Sequence, residues 1–136
     1  MGTRSITVIR DGGDKVCEIY RQYDGYYEGM GLDLVAILNK TELEGFNGAN
    51  CLAATVIATV KGGDNPTWGN VYLYPPTSCK EGDDYVDHYG VEYLYEIDVT
   101  NKAMTGDEVK LTVSELYPEE KVIKTKLFKF NKESVA

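Results

Sequence analysis

The residue types best suited to holding an anion gather near the start of the chain. Arg4 opens a strand-like run, RSITVIR (4–10), and Arg21 lies near the end of a second, KVCEIYRQ (15–22). DGGD stands between the runs, a strong hairpin signal. With Gly12 and Gly13 as a two-residue turn, Arg10 faces Lys15, Val8 faces Cys17, Ile6 faces Ile19 and Arg4 faces Arg21, all on one face. Like charges directly opposite each other are destabilising by up to about 1 kcal/mol, so something must offset them. Either a nearby carboxylate, Asp24 or Asp33, bridges the arginines internally, or a bound anion such as a phosphate does. A three-residue loop would change the pairing parity and separate the two arginines across the sheet.

Beyond Arg21 the chain bends through YDGYYEGMGLDL (23–34). Tyr23, Asp24, Tyr26, Tyr27, Gly29 and Gly31 lie in this bend, which reads either as a plug that packs the fold or as the lip of a binding site. Gly29 and Gly31 precede a helix pattern, and a helix N-terminus directs free N–H groups and partial positive charge at an anion. GMG is not the dinucleotide-binding GxGxxG, no P-loop lysine follows, and a plain tight turn explains the glycines equally well. Tyrosine is the compositional outlier, at 11 residues against 3 Phe and 1 Trp. Loop tyrosines, here Tyr23, Tyr26, Tyr27, Tyr85 and Tyr89, either pack or offer rigid, amphipathic recognition surface that stacks on a nucleobase.

Catalytic patterns are scarce. His88, the only histidine, stands in DDYVDHYG, and Asp83, Asp84, Asp87 and His88 match no standard metal loop. No GxSxG, HExxH or Cys-His nucleophile arrangement occurs. No catalytic residue, metal or cofactor is assigned.

The elements that must position these residues follow from periodicity. Residues 30–40 place Met30, Leu34, Ile37 and Leu38 at helical spacing, widened by Leu32 and Val35. Residues 48–61, alanine-rich and apolar nearly all round, predict a second helix buried on most faces, with a strand as the competing reading. GNVYLYPP (69–76) is a short strand ended by prolines. The polar segment 77–90 is turn-rich, with a further short strand near 84–88. VEYLYEIDV (91–99) alternates, with Val91, Tyr93, Tyr95, Ile97 and Val99 on one side; EVKLTVSEL (108–116) places Val109, Leu111 and Val113 inward. Residues 101–107 form a turn, VIKTKLFKF (122–130) is a lysine-rich last strand suited to an edge, and the tail 131–136 frays. The expectation is a single α+β domain over residues 1–136: an antiparallel sheet of five or six strands with two helices on one face, in the order ββ-αα-ββββ.

Composition bounds the function. A chain of 136 residues with 43% hydrophobic and 26% charged content buries a core without metals or disulfides. A net charge of −8 argues against nonspecific nucleic-acid binding, though a local pocket can still be positive. Three cysteines without a CxxC read as reduced thiols, Cys17 and Cys51 in the core and Cys79 exposed in a loop. No signal peptide, myristoylation pattern or membrane-spanning run is read from the sequence.

The segments MGTRS (1–5), YRQYDGYYEGMG (20–31), NGANCLAA (47–54) and VYLYP (71–75) resemble a family of small uncharacterised phage and prokaryotic proteins. The likeness spans roughly residues 1–75. Tyr27 stands where the pattern usually has proline, and Met30 where it often has histidine. The resemblance implies a phage or prokaryotic setting and a cytoplasmic location, with no established activity attached. The leading expectation is a non-enzymatic binder of a small anionic ligand, with nucleotides as one class, using Arg4, Arg21, Tyr23, Asp24, Tyr26, Tyr27, Gly29 and Gly31. In a phage such a protein could sequester a host immune nucleotide signal. The alternative is an acidic, tyrosine-rich protein–protein interaction module that inhibits a host partner. A small hydrolase using Asp24, Glu28 or His88 is a third, and a homodimer is expected to be compatible with the first.

Overall fold

The computed structural model describes residues 2–44, 48–63, 66, 68–80, 82–100 and 107–130. Residues 101–106 of the turn expected at 101–107 and the tail 131–136 lie outside them, and Asp107 already belongs to a strand. Strands β1 (Ser5–Asp11) and β2 (Asp14–Arg21) form the expected hairpin. Gly12 and Gly13 take φ of +59° and +99°, the left-handed pair that a tight two-residue turn needs. The register beyond the turn differs from expectation. Arg10 faces Lys15 as read from sequence, but Ile9 faces Cys17, which leaves Val16 as an extra residue in β2. This bulge reverses parity along the rest of the hairpin, so Arg21 faces Ser5, not Arg4.

After β2 the chain turns through Asp24, the one described non-glycine residue at positive φ (+59°), into a π-helical turn (Tyr27–Gly31) and then α1 (Leu32–Glu44). Helix α2 (Gly48–Val60) follows. It is a helix, and Thr55 and Thr59 direct their hydroxyls back to the carbonyls of Cys51 and Thr55, so their polar atoms need no outside partner. Ala49, Leu52, Ala53 and Val56 are buried, with Ile57 and Val60 half-buried against the core; Cys51, Ala54, Thr55, Ala58 and Thr59 are exposed, so burial on most faces is corrected to burial on one side.

Strand β3 (Val71–Tyr74) is short, as expected. The strand expected near 84–88 is instead a helical turn, α3 (Tyr85–Tyr89). The Asp84 carboxylate caps it by accepting from the Val86 N–H at 2.8 Å, and Gly90 ends it at φ +68°. Strands β4 (Tyr93–Thr100), β5 (Asp107–Glu115) and β6 (Lys121–Phe130) complete the chain as an antiparallel meander.

The fold is α+β with one six-stranded sheet, in the order β3-β2-β1-β4-β5-β6. The sheet is mixed, not wholly antiparallel, because β1 and β4 pair in parallel. Short turns dictate antiparallel pairing only between neighbours in sequence. Here an antiparallel set, β1-β2-β3, in which the two helices intervene before β3, meets the meander β4-β5-β6 along β1 and β4, which no short turn joins. The element order becomes ββ-αα-β-α-βββ, with α3 inserted before the second meander.

Helices α1 and α2 share one face of the sheet. Met30, Leu34, Leu38, Leu52 and Val56 pack there against Ile9, Ile19, Tyr95, Ile97, Leu111 and Phe128. The other face, called outer below, carries Ile6, Val8, Leu94 and Leu116 under α3, through Tyr85, Val86 and Tyr89. Among the described residues no helix is long and apolar enough to cross a membrane.

Candidate functional site

Arg21 is buried on the helix face. Its guanidinium donates to the Tyr23 carbonyl at 2.8 Å and to Asp33 Oδ2 at 2.8 Å, and lies 3.2 Å from Met30 Sδ. Asp33, one of the two carboxylates expected near Arg21, therefore closes on that arginine alone. The surrounding bend is equally self-contained. Gly25 N–H donates to the Thr3 carbonyl, Met30 N–H to the Asp24 carbonyl, and the buried Tyr95 hydroxyl to the Gly25 carbonyl at 2.7 Å. A Cβ at Gly29 would collide with the Asp24 carbonyl oxygen, and one at Gly31 with the Tyr27 ring. These glycines serve close packing. Tyr26 donates to Asp24 Oδ1 at 3.1 Å, and Tyr27 lies beneath Lys124, whose Nζ is 4.9 Å from the ring centroid.

Arg4 leaves from the opposite face. Its guanidinium lies beside Gly90, where a Cβ would stand 3.6 Å from an Arg4 Nη atom and 3.9 Å from Cζ. Burial pushes the Tyr20 hydroxyl up from its ordinary pKa, while Arg4 is close enough to pull it the other way. The Arg4 Nε is buried without a hydrogen-bond partner, and among the described residues no carboxylate pairs with Arg4. The structure thus separates the two arginines: Arg21 is matched by an internal carboxylate, whereas Arg4 has the Tyr20 hydroxyl beside it and, among the described residues, no carboxylate. Of the bend residues, Tyr23 stays at the same end of the sheet as Arg4, with its ring beside Gly2.

Aromatic rings surround this position. Tyr20 lies 5.9 Å from Tyr72 and 6.3 Å from Tyr89, centroid to centroid, and Tyr89 lies 5.3 Å from Tyr74 and 6.4 Å from Tyr85. The parity set by the bulge puts Tyr20 on the outer face, opposite Tyr72 of β3. The Tyr20 hydroxyl donates to Gln22 Oε1 at 2.5 Å.

A buried polar network fixes these rings from beneath. Glu18 is fully buried; Lys15 donates to its Oε2 at 2.8 Å, and the Tyr89 hydroxyl donates to its Oε1. Lys15 also donates to the Cys79 carbonyl at 2.5 Å, and Tyr89 and Ser78 hydroxyls meet at 2.8 Å. Burial alone would lower the Lys15 pKa, but its bond to Glu18 holds it above its ordinary value. Burial and then the Glu18 carboxylate push the Tyr89 hydroxyl upward. The Lys15 bond to the Cys79 carbonyl and the Tyr89 phenol on Glu18 therefore tie Cys79 and α3 to the sheet, so the rings have a fixed backing.

Cys79, expected exposed, is buried beside this network, while Cys51, expected in the core, is exposed; Cys17 is buried as expected. His88 lies at the surface, 3.4 Å from Ser78 Oγ and edge-on to Tyr89, and with Asp83, Asp84 and Asp87 lines an open hollow of about 250 Å³. Among the described residues no group of three His, Cys, Asp or Glu could hold a metal ion.

Sequence reading missed Lys15, Glu18, Tyr20, Tyr72, Ser78 and Tyr89 as one cluster. The tyrosine-rich strand and loop were the available signal, but only the true register shows that Glu18 and Tyr20 share a face with Tyr72 and Tyr74. No family model matches the chain, and no curated protein or solved structure matches it either.

Proposed function

We propose that this protein binds a small anionic ligand, with nucleotides as the leading class, without transforming it. Support comes from one observation above the others: an arginine whose Nε is buried and unpartnered stands beside a fixed cluster of tyrosines. A guanidinium offers forked donors to phosphate oxygens, and tyrosine rings offer stacking surface. The proposed site is on the outer face around Arg4, with Tyr23 at its rim; Arg21 and the bend act as its scaffold. The phage resemblance extends the proposal to sequestration of a host immune nucleotide signal in the prokaryotic cytoplasm.

The test is a thermal-shift screen with mono-, di- and cyclic nucleotides. Binding to the folded state raises the melting temperature, and stabilisation grows with the logarithm of ligand concentration over Kd. The expected result is a shift that Arg4→Ala removes, with the nucleotide recovered unchanged. A flat screen across all nucleotides and inorganic phosphate, or a shift indifferent to Arg4→Ala, overturns the reading.

A protein-interaction module is a second reading. It is supported by Tyr117, Val122, Ile123 and Leu127, large apolar side chains exposed together on β6 and the turn before it. A flat nucleotide screen, combined with self-association in light scattering that Leu127→Glu abolishes, would favour it.

A further inference from the structure

Trp68 is the chain's single tryptophan and is 94% exposed. A large ring left in water is unremarkable on a loose loop, but this one stands two residues before an anchored position, Asn70. The Asn70 carbonyl accepts from Gln22 N–H at 2.7 Å, and Asn70 Oδ1 accepts from Tyr23 N–H at 3.0 Å. Gly69, at φ +73°, lies beneath the Tyr72 hydroxyl, 3.7 Å from where a Cβ would stand. Tyr72 is itself 44% exposed and leans on Tyr20, which adjoins Arg4. A guanidinium, Tyr20 and the exposed Tyr72 are therefore linked in turn, and Trp68 is exposed one residue before Gly69, which lies near the Tyr72 hydroxyl.

We infer that Trp68 and Tyr72 form a ring-binding platform that makes the Arg4 site prefer anions bearing a planar heteroaromatic ring, the nucleoside phosphates, over anions without one. The inference rests on the anion-binding reading above. Arg4 takes the phosphate through charge-assisted hydrogen bonds, which carry no information about the ring. The ring stacks on aromatic faces, an interaction tolerant of base identity because every base has a π-face. Rigid aromatic side chains lose little conformational entropy when they engage, which is why Trp and Tyr dominate recognition hot spots. The site would thus discriminate by the presence of a base more strongly than by which base it is.

Calorimetric titration of the full chain with AMP, GMP, ribose 5-phosphate and inorganic phosphate tests this, with Trp68 fluorescence as a second readout for wild type. Wild type is expected to bind the nucleoside monophosphates about 10-fold or more tightly than ribose 5-phosphate, in line with stacking on one or two rings. Trp68→Ala and Tyr72→Ala are expected to reduce that ratio toward one while leaving ribose 5-phosphate affinity unchanged. Arg4→Ala is expected to weaken both ligand types alike. A ratio that both ring variants leave intact, or a wild type that binds ribose 5-phosphate as well as AMP, overturns the platform but leaves the anion site standing. Failure of every ligand to bind wild type removes the anion site and the platform together.

Discussion

Arg21 faces Ser5 across the first hairpin, so Arg4 and Arg21 project from opposite faces of the sheet. The first predicted consequence is that substituting them has different effects. Arg21→Ala deletes three internal contacts, although the half-exposed Asp33 is resolvated, so it is expected to cost roughly 1–2 kcal/mol of stability. Arg4→Ala is expected to change stability by less than about 0.5 kcal/mol and to abolish any nucleotide-induced shift. Denaturant titration with and without ligand checks both, and equal destabilisation by the two would contradict the separation.

The Lys15–Glu18 pair makes a second prediction. Removing one partner leaves a buried charge uncompensated, which typically costs about 3–5 kcal/mol. Glu18→Met and Lys15→Met are each expected to be strongly destabilising, and the double variant less so than their sum. A double-mutant cycle with additive effects would mean that the pair is not coupled.

The tyrosines set an alkaline limit on the fold. Tyr20, Tyr85, Tyr89, Tyr93 and Tyr95 are held above their ordinary value of 10.0, with burial the leading cause. Lys15 is likewise held above 10.5. Groups raised in the folded state keep their protons after the unfolded chain has lost them. Their contribution is complete below the unfolded pKa and disappears as pH rises through the folded one. The urea midpoint is expected to stay level from about pH 7 to 9 and to fall above about pH 10. A level midpoint up to about pH 11 would show that these hydroxyls are not held as described.

Thiol chemistry separates the cysteines. Cys51 is exposed on α2, whereas Cys17 and Cys79 are buried, and the Cys17 thiol is pushed up to about 11 by burial and then by the Glu18 carboxylate. Labelling of the native protein near pH 8 is expected to modify Cys51 quickly and the others only on unfolding. Modification of Cys79 as fast as Cys51 would refute the packing of the 75–90 segment onto Lys15.

Much of the architecture was legible without coordinates. Gly12-Gly13 marked the turn, alternation marked β4 and β5 with their inward residues except Val91, which joins the outer cluster, helical spacing marked α1, and alanine content marked α2. Each is a local property, carried by periodicity, by composition or by the φ that two glycines allow. The candidate site was not legible, because it depends on events that leave no local trace. One extra residue, Val16, inverts which side chains share a face and so sends Arg4 away from Arg21. The parallel junction of β1 with β4 and the docking of Tyr89 onto Glu18, 71 residues away in the chain, arise only when distant segments compete to bury the same surface. The sequence by itself determined most of the elements and the presence of two arginines whose charge had to be met by a carboxylate or by an anion. Tertiary structure decided which arginine takes the carboxylate and which aromatic rings surround the other, because sheet parity and long-range burial are settled only in the assembled fold.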